Sequence, residues 1–166
     1  MPKQIRFLTE ICPEDFGLST GGVLPDGRFR PVSLCAEATR ESASVFGAVQ
    51  ALSVADQRAA LKGLAHFVKL AHMGKPFNQL VDEKAVHEAF EPFYCKVTRR
   101  KETVWRYRHG DIRILFYYAS GKVVLLTDVL AKRKDKLSGK EQNKAEQAVV
   151  DFLEASQSEG GLQWVE

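Results

Sequence analysis

The sequence predicts an α+β fold: a small curved sheet, antiparallel or mixed, with two helices ahead of it on one face, a third helix behind it, and an N-terminal extension. Three observations carry this reading. Residues 105–117 alternate apolar and basic side chains around a Gly110-Asp111 turn, as paired strands with one buried face do. Apolar residues recur at helical spacing downstream of Ser53 and again through residues 139–155. Ser138-Gly139-Lys140-Glu141 is an S-x-x-E capping box that starts the last helix.

Taken in order, residues 1–27 are punctuated by Cys12-Pro13, Gly21-Gly22 and Pro25-Asp26-Gly27 and read as an extension, with a short strand possible over 3–11. Residues 28–35 have strand character, and Pro31 argues for an edge or a bend. A modest helix is expected over 37–52, with Ala38, Val45, Ala48, Val49 and Leu52 inward. A second is capped by Ser53 with Asp56 following, carries Leu61, Leu64, Ala65, Val68 and Ala71 on one stripe, and stops at Gly74 and Pro76. Residues 77–94 are ambiguous, with a short helix over 82–90 ended by Pro92. Residues 96–102 form a polar, basic lead into the sheet.

Glycine at the first central position of the Gly110-Asp111 turn sets the hairpin register. His109 then faces Ile112, Arg108 faces Arg113, Tyr107 faces Ile114, Arg106 faces Leu115 and Trp105 faces Phe116. Trp105, Tyr107, Ile112, Ile114 and Phe116 share an apolar face, and Arg106, Arg108, Arg113, Leu115 and Tyr117 share a basic one. A second two-residue turn at Ser120-Gly121 places Arg113 opposite Asp128 and Leu115 opposite Leu126. The closing helix turns Ala145, Ala148, Val149, Phe152 and Leu153 to one side, and residues 162–165 either dock back or meet a partner. The expected organisation is an extension over 1–27, one domain over 28–156 and a tail over 157–166.

A chain of 166 residues that is 45% hydrophobic and 27% charged is long enough for one packed domain. It has no apolar run of membrane-spanning length and no signal-peptide pattern at its start, so a cytoplasmic location is expected. Cys12, Cys35 and Cys95 are isolated, and His66, His72 and His87 lack the i, i+4 spacing of a metal site. Phosphate loops of the Walker or dinucleotide type and a nucleophile elbow are absent from the sequence. The net charge of +3 hides a polarity: residues 96–144 hold 14 Lys and Arg against five acids, +9, which leaves −6 for the rest. Such a basic stretch is either a solvated face or the footprint of a polyanion.

The runs Trp105-Arg106-Tyr107-Arg108, Ile112-Arg113-Ile114-Leu115-Phe116-Tyr117, Val124-Leu125-Leu126 and Lys132-Arg133-Lys134-Asp135-Lys136, with Glu141 to Ala145 beyond, carry a family pattern. Over residues 105–145 the chain resembles the RelE/ParE superfamily of type II toxins, nearest its HigB-like, phage-derived branch. The resemblance implies a RelE-like sheet and a ribosome-dependent mRNA endonuclease that needs neither metal nor cofactor. It also implies, as partners, a helix-turn-helix antitoxin, the ribosome and mRNA, and no membrane; it leaves the oligomeric state open. Other outcomes are a ParE-like DNA gyrase inhibitor without nuclease activity and a nuclease-inactive nucleic-acid-binding protein of phage origin.

The implied chemistry is attack of a ribose 2′-hydroxyl on the neighbouring phosphate, which requires cations on the phosphate, a proton acceptor and a proton donor. Arg113 offers a planar donor fork on a rigid strand, or a structural ion pair with Asp128. Lys132 and Lys134 stand where the family carries catalytic cations. His109 titrates near neutrality and is a candidate proton carrier, or an exposed tip residue. Tyr117 shares the arginine face and can stack on a base or donate a hydrogen bond. Arg106, Arg108, Arg133 and Lys136 are the candidate RNA-backbone contacts.

Overall fold

A computed structural model describes residues 5–18, 24–132 and 136–166. Its centre is a mixed sheet of seven strands: β1 (Arg6–Glu10), β2 (Arg30–Cys35), β3 (Val86–Glu88), β6 (Trp105–His109), β7 (Ile112–Ala119), β8 (Val123–Ala131) and β9 (Leu162–Trp164). Strands β4 (Phe93–Cys95) and β5 (Arg100–Glu102) form a separate two-stranded ribbon. In space the order is β3-β6-β7-β8-β2-β1-β9, with β2 parallel to β8 and β9 parallel to β1.

This architecture overturns the small RelE-like sheet with its N-terminal extension. The stretch read as an extension supplies β1, the stretch read as a tail supplies β9, and residues 86–88 make an edge strand where a helix was expected. Pro31 does not mark an edge, because β2 lies between β8 and β1. Arg30 donates its N–H to Lys122 O on the β8 side, so alternation turns the donor that Pro31 lacks toward β1. There the paired register ends at Glu10–Val32, and the last bond, from Ile11 N–H to Pro31 O at 2.8 Å, uses the carbonyl that proline retains, so only the terminal reciprocal bond is missing.

Helices cover both faces. On one lie α1 (Ser44–Gln50), α2 (Val54–His72) and the single turn α3 (Phe77–Leu80); on the other lies α4 (Gly139–Ser156). Ser53 and Ser138 cap α2 and α4 as expected: each side-chain oxygen accepts from the N–H three residues on, and Glu141 returns the bond to Ser138. The first helix is shorter than expected, with a 3-10 turn at Arg40–Ser42 ahead of it. The inward stripe of α2 is Ala60, Leu64, Phe67, Val68 and Ala71, whereas Leu61 is 41% exposed. Phe67 anchors this face: its ring lies 4.7 Å from Phe77 and 5.1 Å from Phe116, both edge-on.

Ionic contacts tie β1 to the sheet. Arg40 donates to both carboxylate oxygens of Asp15, to Thr9 Oγ1 and to Glu10 O, all at 2.8–2.9 Å. Glu10 accepts from Arg28 and Arg30, the latter at 2.7 Å. Four of Arg40's five N–H groups are engaged, so this half-buried guanidinium fastens the N-terminal strand.

Candidate nucleic-acid interface

The β6–β7 hairpin has the register that alternation dictated, from Trp105–Phe116 to His109–Ile112, and Gly110 adopts φ +58°. Arg106, Arg108 and Arg113 therefore lie on one face, with Trp105, Tyr107, Ile112 and Ile114 on the other. Arg108 and Arg113 are direct cross-strand neighbours. Like charges so placed repel, and the two heads separate. Arg113 turns back into the protein, where Nη1 donates to Gly110 O at 2.7 Å and to Ile112 O, and the residue is 2% exposed. Arg108 stays in solvent.

Lys132 closes the same end of the sheet. Its backbone N–H donates to Asp111 O at 2.7 Å, and Nζ pairs with Glu141 Oε1 at 2.9 Å. The Gly110-Asp111 turn thus bonds both the Arg113 guanidinium and the Lys132 backbone. Lys136 is exposed beside it in sequence, just ahead of the buried Leu137 that seats α4. Arg133 and Lys134 lie outside the described residues.

The second turn differs from expectation and changes Arg113's surroundings. Ala119 pairs with Val123 around a three-residue loop in which Gly121 and Lys122 have φ +75° and +62°. A bulge then leaves Thr127 as an extra residue between the Leu115–Asp128 and Phe116–Leu126 pairs. Loop and bulge each shift the register by one, so Leu130, not Asp128, faces Arg113. The bulge also rephases β8, so that Val124, Leu126 and Val129 all join the core beneath α1 and α2. Asp128 instead accepts from Val129 N–H at 2.9 Å and from Lys144 at 3.3 Å; burial raises its pKa above the ordinary carboxylate value.

Two candidate catalytic residues do not join the exposed arginine. Tyr117 shares its face but is buried under the β4–β5 ribbon, donating to Glu102 Oε2 at 2.8 Å. Burial and that bond push its pKa far above the ordinary phenol value. His109 points to the opposite face, half-buried, with its ring 5.1 Å from that of His66 on α2 and its Cβ packed where Gly63 leaves room. Burial, with the neighbouring His66 and Lys62, holds it below the usual imidazole value.

Arg106 is also sealed, 2% exposed, with Nη2 donating to Lys84 O at 3.2 Å. With Arg108 it floors an open pocket of about 350 Å³ at the sheet edge, completed by Glu83, Lys84 and His87. Sequence reasoning missed Lys84 and His87. His87 lies in, and Lys84 just ahead of, a three-residue strand too short to show alternation, and only its pairing with β6 brings them to the arginines.

The site is thus a cationic end and edge of a mixed sheet, built by β3, β6, β7 and the exit of β8. Among the described residues no group of three His, Cys, Asp or Glu side chains is placed to hold a metal, and no helix is long and apolar enough to cross a membrane. No protein-family model matches the chain, and no curated protein matches it.

Proposed function

We propose that this protein is the toxin of a type II toxin–antitoxin pair and cleaves mRNA on the ribosome without a metal. The observation that supports it most is the gathering of Arg108, Arg113 and Lys132 around one turn, with Arg106, Lys84 and His87 at the adjoining edge. Residues 105–145, which resemble RelE/ParE toxins, contain all but the last two. In the reaction the 2′-oxygen bonds to phosphorus, the bond from phosphorus to the 5′-oxygen breaks, one proton leaves the 2′-hydroxyl and another reaches the departing oxygen. The exposed Arg108, with Lys132 and Lys136, supplies positive charge to the phosphate as it becomes pentavalent. Arg113 holds the turn that presents them.

A second reading, a gyrase-directed toxin that does not cut RNA, is favoured by one observation. Tyr117 is buried and tied to Glu102, and His109 lies on the face opposite the arginines, so neither stands at the exposed cations. Induced expression followed by mapping of mRNA ends separates the two. Cleavage inside translated codons that is lost in Arg108→Ala and Lys132→Ala, with both variants folded, supports the nuclease. Loss of DNA supercoiling without cleavage supports the gyrase target. Absence of both, with no growth arrest, removes the toxin reading.

A further inference from the structure

The β4–β5 ribbon is not needed to finish the sheet, and its outward side is unusual. Tyr94 pairs with Lys101 across the ribbon, and Tyr94 is 64% exposed. Lys96, Arg99, Arg100 and Lys101 are all exposed, four cations within six residues. The underside is fixed: Cys95 is fully buried, Glu102 is bonded by Tyr117 and Arg100, and Gln157 at the end of α4 donates to Val97 O in the turn.

Arg99 is the second observation. It closes the turn with N–H donating to Cys95 O at 2.8 Å, and its φ is +58°. That left-handed conformation is where glycine or asparagine ordinarily sits, so an arginine there costs local stability. Strained backbone of this kind collects at binding sites. The groove between ribbon and α4 is lined by Tyr94 and Lys96 on the ribbon and by Glu146 and Glu154 on α4, so the α4 wall turns a phosphate toward the ribbon's cations.

We propose that the ribbon binds single-stranded RNA, with Arg99 and Lys101 on phosphates and one base stacked on Tyr94. Backbone-tracking cations interleaved with an exposed aromatic ring are what sequence-tolerant single-strand binding uses. The inference rests on the RNA reading of the basic sheet end and adds to it a grip on the strand outside the scissile phosphate.

The test is fluorescence anisotropy of the full chain with a 2′-O-methyl 12-mer, which cannot be cleaved, across a salt series. Tyr94→Ala should weaken binding by roughly 5-fold to 150-fold, the range for loss of one stacked base. Arg99→Ala with Lys101→Ala should lower the salt slope by about 1.4, at ~0.7 per phosphate contact on a single strand. Arg99→Gly should raise the melting temperature while weakening binding, a pairing that a solvated surface charge would not produce. Variants that bind like the wild type overturn the inference, and they leave the toxin reading standing if mRNA is still cut in cells. Ribbon-dependent binding without any cleavage in cells supports the ribbon and counts against the nuclease alone.

Discussion

Tyr117 donates a 2.8 Å hydrogen bond to Glu102, and both are buried where the β4–β5 ribbon crosses the sheet. A residue that parity puts beside the arginines is thereby a structural tie. Tyr117→Phe should cost about 1.5–3 kcal/mol, the range for a bond to a charged group, read as a lower urea midpoint. The proposed mRNA cleavage in cells should be unchanged. Loss of cleavage at unaltered stability would return Tyr117 to the list of catalytic groups.

Glu102 gives the fold an acid-sensitive point. Burial pushes its pKa up, but the hydrogen bonds from Arg100 and Tyr117 outweigh burial and hold it below the ordinary carboxylate value. A lowered folded pKa contributes stability that is present above the unfolded value, about 4.3, and lost as pH falls through the folded one. The stability gap between wild type and Glu102→Gln should therefore shrink from pH 6 to pH 3 in urea titrations. A gap that is constant across this range would contradict the ion pairing.

Asp128 works with the opposite sign. Burial raises its pKa, and Lys144 only partly offsets that. The native state then holds more protons than the unfolded one as pH climbs from about 3.9, so stability drains away until the folded pKa is passed. Asp128→Asn keeps an acceptor for Val129 N–H and lacks this loss. Its stability relative to wild type should improve as pH rises over that window, and a flat or falling difference would refute the assignment.

Gly74 ends α2 with φ +76°, and a Cβ added there would lie 2.6 Å from Gly27 O. Gly74→Ala meets both backbone strain and a backbone clash, so a loss of about 1–3 kcal/mol is expected. For a chain of this size each kcal/mol lowers the melting temperature by about 2–4 °C.

Phe67 touches Phe77, Tyr107 and Phe116 and is fully buried. Phe67→Ala should cost about 3–5 kcal/mol in denaturant unfolding, through lost transfer energy and an unfilled cavity. A loss under 1 kcal/mol would mean that the helix layer repacks freely.

The candidate site was legible where the pattern was local. Strict alternation through Arg106, Arg108, Ile112 and Arg113 permits one register for β6–β7, and that register is the one found. The link from Arg113 to Asp128 was not legible, because it hung on a loop one residue longer than expected and on the bulge at Thr127. Beyond the bulge the two shifts cancel in facing, and before it Val124, Leu125 and Leu126 are apolar on both faces, so the hydrophobic pattern of β8 betrays neither. The depth of Arg106 and Arg113 was also hidden. Parity names a face, while burial depends on what covers it.

By itself the sequence determined the central hairpin, the caps of α2 and α4, and the concentration of positive charge in residues 96–144, since each follows from contacts between near neighbours in the chain. The tertiary structure alone decided that the sheet has seven strands. Three-residue strands such as β3 and β9 are too short to carry a period, and β1–β9 pairing joins residues some 156 positions apart. Such strands form only after long-range closure has brought a partner edge alongside, and no local pattern encodes which edge that is.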